Sequence, residues 1–205
     1  MILLVLNDFG LWARELSLPA HFTDNMVLQR GKEINIRGWA KPGVEVKFEI
    51  GKRVRFTRSN TDGNFSIILA PFSPSKTSLT LSVKSGDEEI SLENILVGDV
   101  WLIGRQSYID TSLGSQTTGV ERAGRFKKSE SLRVMKINTL PSRTPQNNIN
   151  KEATQGWAVL DKKSALTISA TAFYLGESLA NDIDVPVGIV DLHMGHHFAL
   201  GWLSD

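Results

Sequence analysis

The sequence has 205 residues, of which 41% are hydrophobic, and its 23 basic and 22 acidic residues leave a formal charge of +1. This length allows one large or two modest domains with a sizeable core, and the balanced charge argues against nucleic-acid binding. The sequence contains no cysteine, which excludes disulfides, thiolate zinc sites and a cysteine nucleophile. No apolar run approaches the roughly 20 residues that a membrane span requires.

The first 15 residues begin with a short apolar patch, Ile2 to Leu6, which Asn7 and Asp8 interrupt and which no basic segment precedes. A secretory signal peptide has a basic start and about 7 to 15 uninterrupted apolar residues. We therefore expect residues 1–15 to be a degraded signal peptide or a disordered N-terminus, with Ala13 as the candidate cleavage point.

Residues 33–97 alternate apolar and polar side chains, and turn signals interrupt them at short intervals. This pattern predicts an antiparallel β-sandwich domain over residues 16–97. In "VEVKFEI" the alternation places Val44, Val46, Phe48 and Ile50 on one face, and in "RVRFT" it directs Val54 and Phe56 inward. The following "TDGN" predicts a hairpin, because Asp-Gly supplies the positive φ values that tight turns need.

After residue 97 the pattern changes to that of an α/β unit, with a domain boundary near residues 95–99. The continuous apolar run "VWLIG" predicts a strand covered on both faces in a mostly parallel sheet. A polar stretch over 111–130 with a short helix, a strand at "LRVMKIN" and a long loop over 141–157 follow. Ser164 is predicted to cap a helix whose apolar positions have helical spacing, and "VPVGIVDL" is the third strand. The apolar positions of that helix are Ile168, Ala172, Leu175 and Leu179.

Ser107 follows directly after "VWLIG". In open α/β sheets, reactive groups collect beyond the carboxyl ends of the strands, and backbone N–H groups at the start of a following helix can stabilise an oxyanion. Serines after strands are also common as polar loop residues. From its position alone, Ser107 is either a nucleophile or a residue of the turn.

Three histidines, His193, His196 and His197, follow the third strand within five residues. Such a cluster suggests a metal site. However, Gly195 interrupts the segment, and no carboxylate or thiolate is spaced to complete the ligands, so a surface loop without metal is the favoured interpretation. Asp191 with these histidines is the one candidate for the Asp and His pair that a serine hydrolase needs.

Several stretches resemble the sialate O-acetylesterase family in order and spacing, from about Leu16 to Trp202. They are "LSLPAHFTDNMVLQRGKEINIRGWAKPGVEVKF", "DGNFSIIL", "ENILVGDVWLIGRQS", "GWAVL", "SATAFYLGESL" and "DVPVGIVDL". The resemblance implies an N-terminal β-sandwich followed, over residues 98–205, by the first part of an SGNH or flavodoxin-like α/β domain with about three parallel strands. It also implies that "VWLIG" lies between the other two strands, leaving the third strand with a bare edge that favours self-association.

The resemblance further implies removal of O-acetyl groups from sialic acids or related acetylated sugars, without a cofactor, by an exported protein. The family nucleophile lies in a "GQSNM" motif, which matches "RQSYI" here and makes Ser107 the candidate nucleophile beside Gln106. Arg105 replaces the motif glycine and brings a bulky charge to this turn. "MGHH" matches the family's "WGGT", so Gly195 is expected to supply an oxyanion N–H, and His193, His196 or His197 is the candidate base.

Two family features have no counterpart by residue 205: the asparagine block of the oxyanion hole, and the C-terminal Asp and His. We therefore expect any esterase activity to be small. The alternative is a non-catalytic relative that binds carbohydrate or another protein chain. If the chain binds carbohydrate, four of its tryptophans are expected to stack on sugar rings; otherwise they pack in the core. These tryptophans are Trp39, Trp101, Trp157 and Trp202. The expected partner is an acetylated carbohydrate, with no nucleic acid and no membrane span.

Overall fold

The computed structural model describes residues 15–105, 111–140, 142–144, 146 and 148–193. Its strands are β1 (Val27–Gln29), β2 (Ile34–Trp39), β3 (Glu45–Ile50), β4 (Arg53–Arg58), β5 (Asn64–Leu69), β6 (Ser75–Ser85), β7 (Glu88–Arg105), β8 (Leu132–Ile137), β9 (Thr154–Val159) and β10 (Val187–His193). Its helices are α1 (Gly119–Arg125), α2 (Lys162–Ala165) and α3 (Ala170–Asp182), with short 3-10 turns at Leu113–Ser115 and Lys151–Ala153. The predicted signal segment lies outside the described residues, except for residue 15.

The predicted mixed β and α/β fold is confirmed. One large sheet has the strand order β4-β3-β6-β7-β10-β8-β9, with β1 beside β7, and a separate two-stranded sheet consists of β2 and β5. The small sheet packs on the large one around a shared apolar core. As the alternation predicted, Val46, Phe48 and Ile50 point into this core and are at most 1% exposed.

Two predictions about β4 are wrong. Val54 and Phe56 are 39% and 57% exposed, because they pair with Glu49 and Lys47 on the outer face of the sheet. The residues opposite the inward-pointing Val46, Phe48 and Ile50 are instead Thr57, Arg55 and Arg53. The "TDGN" turn forms, with Gly63 at φ 77°, but it does not close a hairpin. It connects β4, which pairs with β3, to β5, which pairs with β2 in the other sheet.

Strand β7 runs through both halves of the chain. Its first part pairs with β6 in antiparallel fashion, and residues 99–105 pair with β10 in parallel fashion. The change of partner occurs at Gly98, where a Cβ atom would lie 1.9 Å from the carbonyl oxygen of Pro186. The strand therefore continues without a break across residues 95–99, where the sequence predicts a domain boundary.

The three predicted parallel strands are present, but their predicted order is wrong. Strand β10 lies between β7 and β8, with Val187–Leu192 paired on both sides. The third strand consequently has no bare edge over these residues. In this central position Val187, Ile189 and Asp191 are at most 1% exposed.

The carboxyl half of β7 lies at the edge of the parallel strands. Trp101 and Leu102 are 44% and 65% exposed, so the prediction that "VWLIG" is covered on both faces is wrong for these two residues. Only Ile103 of this segment joins the second apolar core, which lies beneath the helices and includes Phe173 and Ile189.

The residues that cap the helices differ from the predicted cap, Ser164. Ser164 is the third residue of α2, where it forms a capping box with the N-cap residue Asp161. The longer helix α3 begins after Ser169, whose hydroxyl accepts a hydrogen bond from the amide of Ala172. The predicted short helix within 111–130 is α1, whereas the loop predicted over 141–157 ends in β9. No helix in the described part of the chain is long and apolar enough to cross a membrane.

Candidate functional site

The carboxyl ends of β7 and β10 meet at one edge of the sheet. The two strands are parallel and in register to their last residues, so that Arg105 lies opposite His193. On the other side of β10, Leu192 lies opposite Ile137, the last residue of β8. The segments that leave β7 and β10 therefore begin side by side, as is typical of ligand sites in open parallel sheets.

Most of the predicted site residues follow these two strand ends. Ser107 and Gln106 come directly after Arg105, and Gly195, His196 and His197 come directly after His193. These five residues lie outside the described part of the chain. The structure thus places Arg105 and His193, the last described residues before these segments, next to each other.

Arg105, which replaces the family's motif glycine, is buried at the end of β7. Its side chain is 2% exposed, and its Nε donates to Oδ1 of Asp191 at 2.5 Å. A second bond from Nη2 to Oδ2 of Asp191 measures 3.3 Å, which makes the pair bidentate. The positive charge expected at the nucleophile turn is therefore balanced inside the protein.

Asp191 connects three elements of the fold. Besides Arg105 on β7, its carboxylate accepts hydrogen bonds from the amide and the hydroxyl of Ser169, both at 2.9 Å. Ser169 is the N-cap of α3, and its Oγ also accepts from the amide of Ala172. We call Arg105, Ser169 and Asp191 the Asp191 cluster. It fixes the carboxyl end of β7 and the start of α3 to the central strand.

This use of Asp191 differs from the sequence-based candidate pairing with the late histidines. Its carboxylate is fully buried and carries four bonds to Arg105 and Ser169. Such an environment suits a residue that holds other groups in position. The sequence offered one signal for it, a lone carboxylate within the apolar strand "VGIVDL", but it did not identify Arg105 as the partner.

His193 is the one candidate base that the structure describes. It is partly buried at the end of β10, and its backbone carbonyl accepts a hydrogen bond from the hydroxyl of Thr139. This bond ties the end of β10 to the segment that leaves β8. In the described ranges, no three His, Asp or Glu side chains are grouped as metal ligands; the His196 and His197 part of the metal alternative lies outside them.

The tryptophans fall into different environments. Trp157 is 8% exposed and belongs to the shared core, and its indole N–H donates to the carbonyl of His21 at 3.1 Å. The core interpretation is thus confirmed for Trp157. Trp101 is exposed at the edge of the sheet, Trp39 is partly buried at the end of β2, and Trp202 lies outside the described residues.

Comparisons with known proteins identify the fold. No protein-family model and no curated protein matches the sequence. Among solved structures, a carbohydrate acetylesterase from Xanthomonas citri matches 93% of the chain with a TM-score of 0.85 and 23% identity. Domains 4 and 5 of the S-layer protein SbsC and an endo-β-1,4-mannanase from Thermotoga petrophila give TM-scores of only 0.28 and 0.27, which support no conclusion. The chain spans 42% of the length of the acetylesterase, and over that length it has a carbohydrate acetylesterase-like fold.

Proposed function

We propose that this chain is a serine esterase that removes O-acetyl groups from sialic acid or a related acetylated sugar. The observation that carries the proposal is the shared register of β7 and β10 at their carboxyl ends, with Arg105 opposite His193. The nucleophile motif and the oxyanion motif, which the sequence places directly after these residues, then start from adjacent points. The acetylesterase-like fold supports the same reaction class.

In the proposed reaction, Oγ of Ser107 attacks the acetyl carbonyl carbon, and the electron pair of the carbonyl moves onto its oxygen. The N–H groups of Ser107 and Gly195 donate to this oxyanion. Collapse breaks the bond between the acetyl carbon and the sugar oxygen, which takes the proton that Ser107 gave to the base. Water then hydrolyses the acetyl-serine by the same steps, returning acetate and the free hydroxyl.

The proposed base is His193, His196 or His197. The Asp191 cluster supports the machinery indirectly, because it fixes β7 immediately before Ser107 and β10 immediately before these histidines. We expect the purified protein to turn over an activated ester through this serine.

The proposal includes a domain organisation for the chain. Residues 16–97 form the sandwich domain, and residues 98–205 contribute the first part of an SGNH-like esterase domain. The substrate is bound at the carboxyl edge of the parallel strands, where the two motifs start. Export to the periplasm or the cell exterior, where acetylated glycans are encountered, is consistent with this substrate class.

The test is hydrolysis of p-nitrophenyl acetate and of an O-acetylated sialic acid by purified protein. The Ser107→Ala variant is expected to lose about tenfold or more of the rate above background, because the acetyl-enzyme can no longer form. Ser115→Ala, which removes another exposed serine hydroxyl after β7, is the matched control and should retain the full rate. Equal rates for the wild type and Ser107→Ala would remove Ser107 from the mechanism and favour a non-catalytic carbohydrate-binding or protein-interaction role.

A further inference from the structure

A cleft of about 390 Å³ lies over the outer face of the small sheet. We call it the sandwich cleft, and six of its lining residues matter here: Phe22, Asn35, Arg37, Trp39, Asn64 and Asn148. Its volume falls in the range of about 300 to 1,000 Å³ that is typical of small-molecule sites. None of these residues belongs to β7, β8 or β10, whose carboxyl ends form the proposed esterase edge.

The alternation of β2 creates this surface. Ile34 and Ile36 point into the core, while Asn35, Arg37 and Trp39 project from the opposite face. Gly38 fits the inner face only because it has no side chain: a Cβ atom there would lie 2.4 Å from the ring of Phe65. The packing of β2 on the core thereby fixes the three outward residues in one row.

The paired strand β5 extends the surface. Trp39 lies opposite Asn64, and Arg37 lies opposite Ser66. The indole of Trp39 therefore stands beside a polar amide, with the guanidinium of Arg37 next along the row. An aromatic ring with a flanking amide offers both an apolar face and a hydrogen-bonding group to a ligand.

Hydrogen-bond donors remain available around this row. Oδ1 of Asn35 accepts from the hydroxyl of Ser66 at 2.9 Å, and Oδ1 of Asn148 accepts from the amide of Ile149 at 3.0 Å. These bonds orient both amides by their oxygen atoms. Their NH2 groups donate to no protein atom within the described ranges, so both can serve a bound molecule.

The charge of the cleft is positive. Arg37 is exposed and makes no ion pair with any described residue. The other ionisable group of the lining, His21, has a pKa lowered by burial, so it is neutral near pH 7 and adds no charge. Among the described lining residues, Arg37 alone carries a full charge, which selects for an anionic ligand group such as a carboxylate.

From this combination we infer that the sandwich cleft binds an acidic saccharide. The apolar face of a pyranose ring packs on the indole of Trp39. The amides of Asn35 and Asn148 bond the ring hydroxyls. The carboxylate pairs with the guanidinium of Arg37. The site retains a glycan through a non-catalytic contact, which goes beyond the proposed hydrolysis at the edge of the sheet.

Calorimetric titration with two acidic probes tests the inference. The probes are trigalacturonate and sialyllactose, compared with methyl-esterified trigalacturonate and lactose as their uncharged counterparts. We expect at least one acidic probe to bind with a Kd on the order of 1 mM or below, and its uncharged counterpart to bind about tenfold more weakly. Added salt should weaken the binding of the acidic probe more than the binding of its uncharged counterpart.

Variants assign the binding to the cleft. Arg37→Gln should reduce the affinity for the acidic probe to that of its uncharged counterpart. Trp39→Leu should weaken the binding of the acidic probe and of its uncharged counterpart alike. Arg55→Gln, on β4, removes another exposed arginine and should leave both of these affinities unchanged. Circular dichroism checks that Trp39→Leu is folded, and Arg37→Gln alone decides the question if it is not.

The outcome is independent of the esterase. Ser107→Ala should bind the acidic probe like the wild type, and Arg37→Gln should hydrolyse p-nitrophenyl acetate like the wild type. The inference is overturned if neither acidic probe binds at a concentration on the order of 10 mM, or if Arg37→Gln binds the acidic probe as tightly as the wild type does.

Discussion

The sandwich and the parallel strands bury very different polar groups. In the sandwich, the buried polar side chains are Ser59 and Ser85 within the described residues, and each donates to a backbone carbonyl. The parallel region buries three charged side chains, Arg105, Arg133 and Asp191. Buried charges are costly unless they are paired and hydrogen-bonded. The sandwich thus avoids this cost among its described residues, whereas the region around β10 accepts it, for Arg105 and Asp191 next to the proposed active site.

Of the substitutions proposed here, removal of the Asp191 carboxylate should lower the free energy of unfolding most. Asp191→Ala breaks the buried ion pair with Arg105 and removes the acceptor of both Ser169 bonds, and breaking a buried ion pair typically destabilises a protein by roughly 3 to 5 kcal/mol. Urea denaturation measures the loss. Asp184→Ala is the control, since its ion pair with Lys76 lies on the surface and should contribute nothing measurable. A loss for Asp191→Ala no larger than that of the control would show that the cluster is not a structural anchor.

Replacing one large aromatic residue in each of the two apolar cores tests whether the sandwich and the parallel region unfold together. Phe48 in the sandwich core and Phe173 beneath the helices are at most 1% exposed, and Phe→Ala at such sites costs roughly 3 to 5 kcal/mol. Because β7 runs through both halves, we expect each variant to shift one common thermal transition. A second, earlier transition in Phe173→Ala alone would instead show that residues 16–97 fold as a separate domain.

The two buried arginines should respond differently to the same substitution. Within the described chain, Nε and Nη1 of Arg133 have no hydrogen-bond partner, and burial lowers the pKa of this guanidinium. Arg133→Met should therefore be neutral or stabilising by about 1 kcal/mol, since it removes unsatisfied donors. Arg105→Met should destabilise by roughly 3 kcal/mol, because it removes the buried counter-charge of the Asp191 carboxylate and leaves it only the neutral donors of Ser169 among the described residues. Equal effects in a denaturation series would contradict the difference between the two sites.

The smallest effect concerns the cap of α2. Asp161→Ala should cost about 1 kcal/mol at pH 7, as is usual for an N-cap residue. The backbone hydrogen bond from Ser164 lowers the pKa of Asp161, so its contribution is complete above the unfolded-state pKa and is lost as the pH falls through the folded-state pKa. The stability difference between the wild type and Asp161→Ala should thus narrow below about pH 4. Asp87→Ala, on an exposed turn, is the control, and a difference that does not vary with pH would contradict this assignment.

The sequence predicted local structure better than the arrangement of strands. Alternation located the strands of the sandwich and the inward face of β3, because the side-chain period is a local property. It failed at Val54 and Phe56 because alternation alone does not say which face of a strand points inward. Their pairing with outward residues of β3 places both on the outer face of the sheet. The strand order implied by the family resemblance was wrong for β10, whose central position depends on pairing with both neighbours and leaves no periodic signal of its own.

For the candidate site, the sequence predicts two motifs, which stay predictions, and it missed the contact between Arg105 and Asp191 that fixes the strand ends before them. Ser107 and Gly195 were predicted from a family resemblance, and the adjacent ends of β7 and β10 agree with motifs that act together. The Arg105 and Asp191 pair joins residues that are 86 positions apart. A pairing over that distance depends on the strand order, which the sequence alone did not provide.

Peptide mass mapping after brief exposure to p-nitrophenyl acetate tests the proposed esterase mechanism most directly. If Ser107 is the nucleophile, acid quenching should trap one acetyl group on the peptide that contains Ser107, and Ser107→Ala should show none there. Acetyl groups found only on lysines, at equal levels in the wild type and Ser107→Ala, would contradict the proposal.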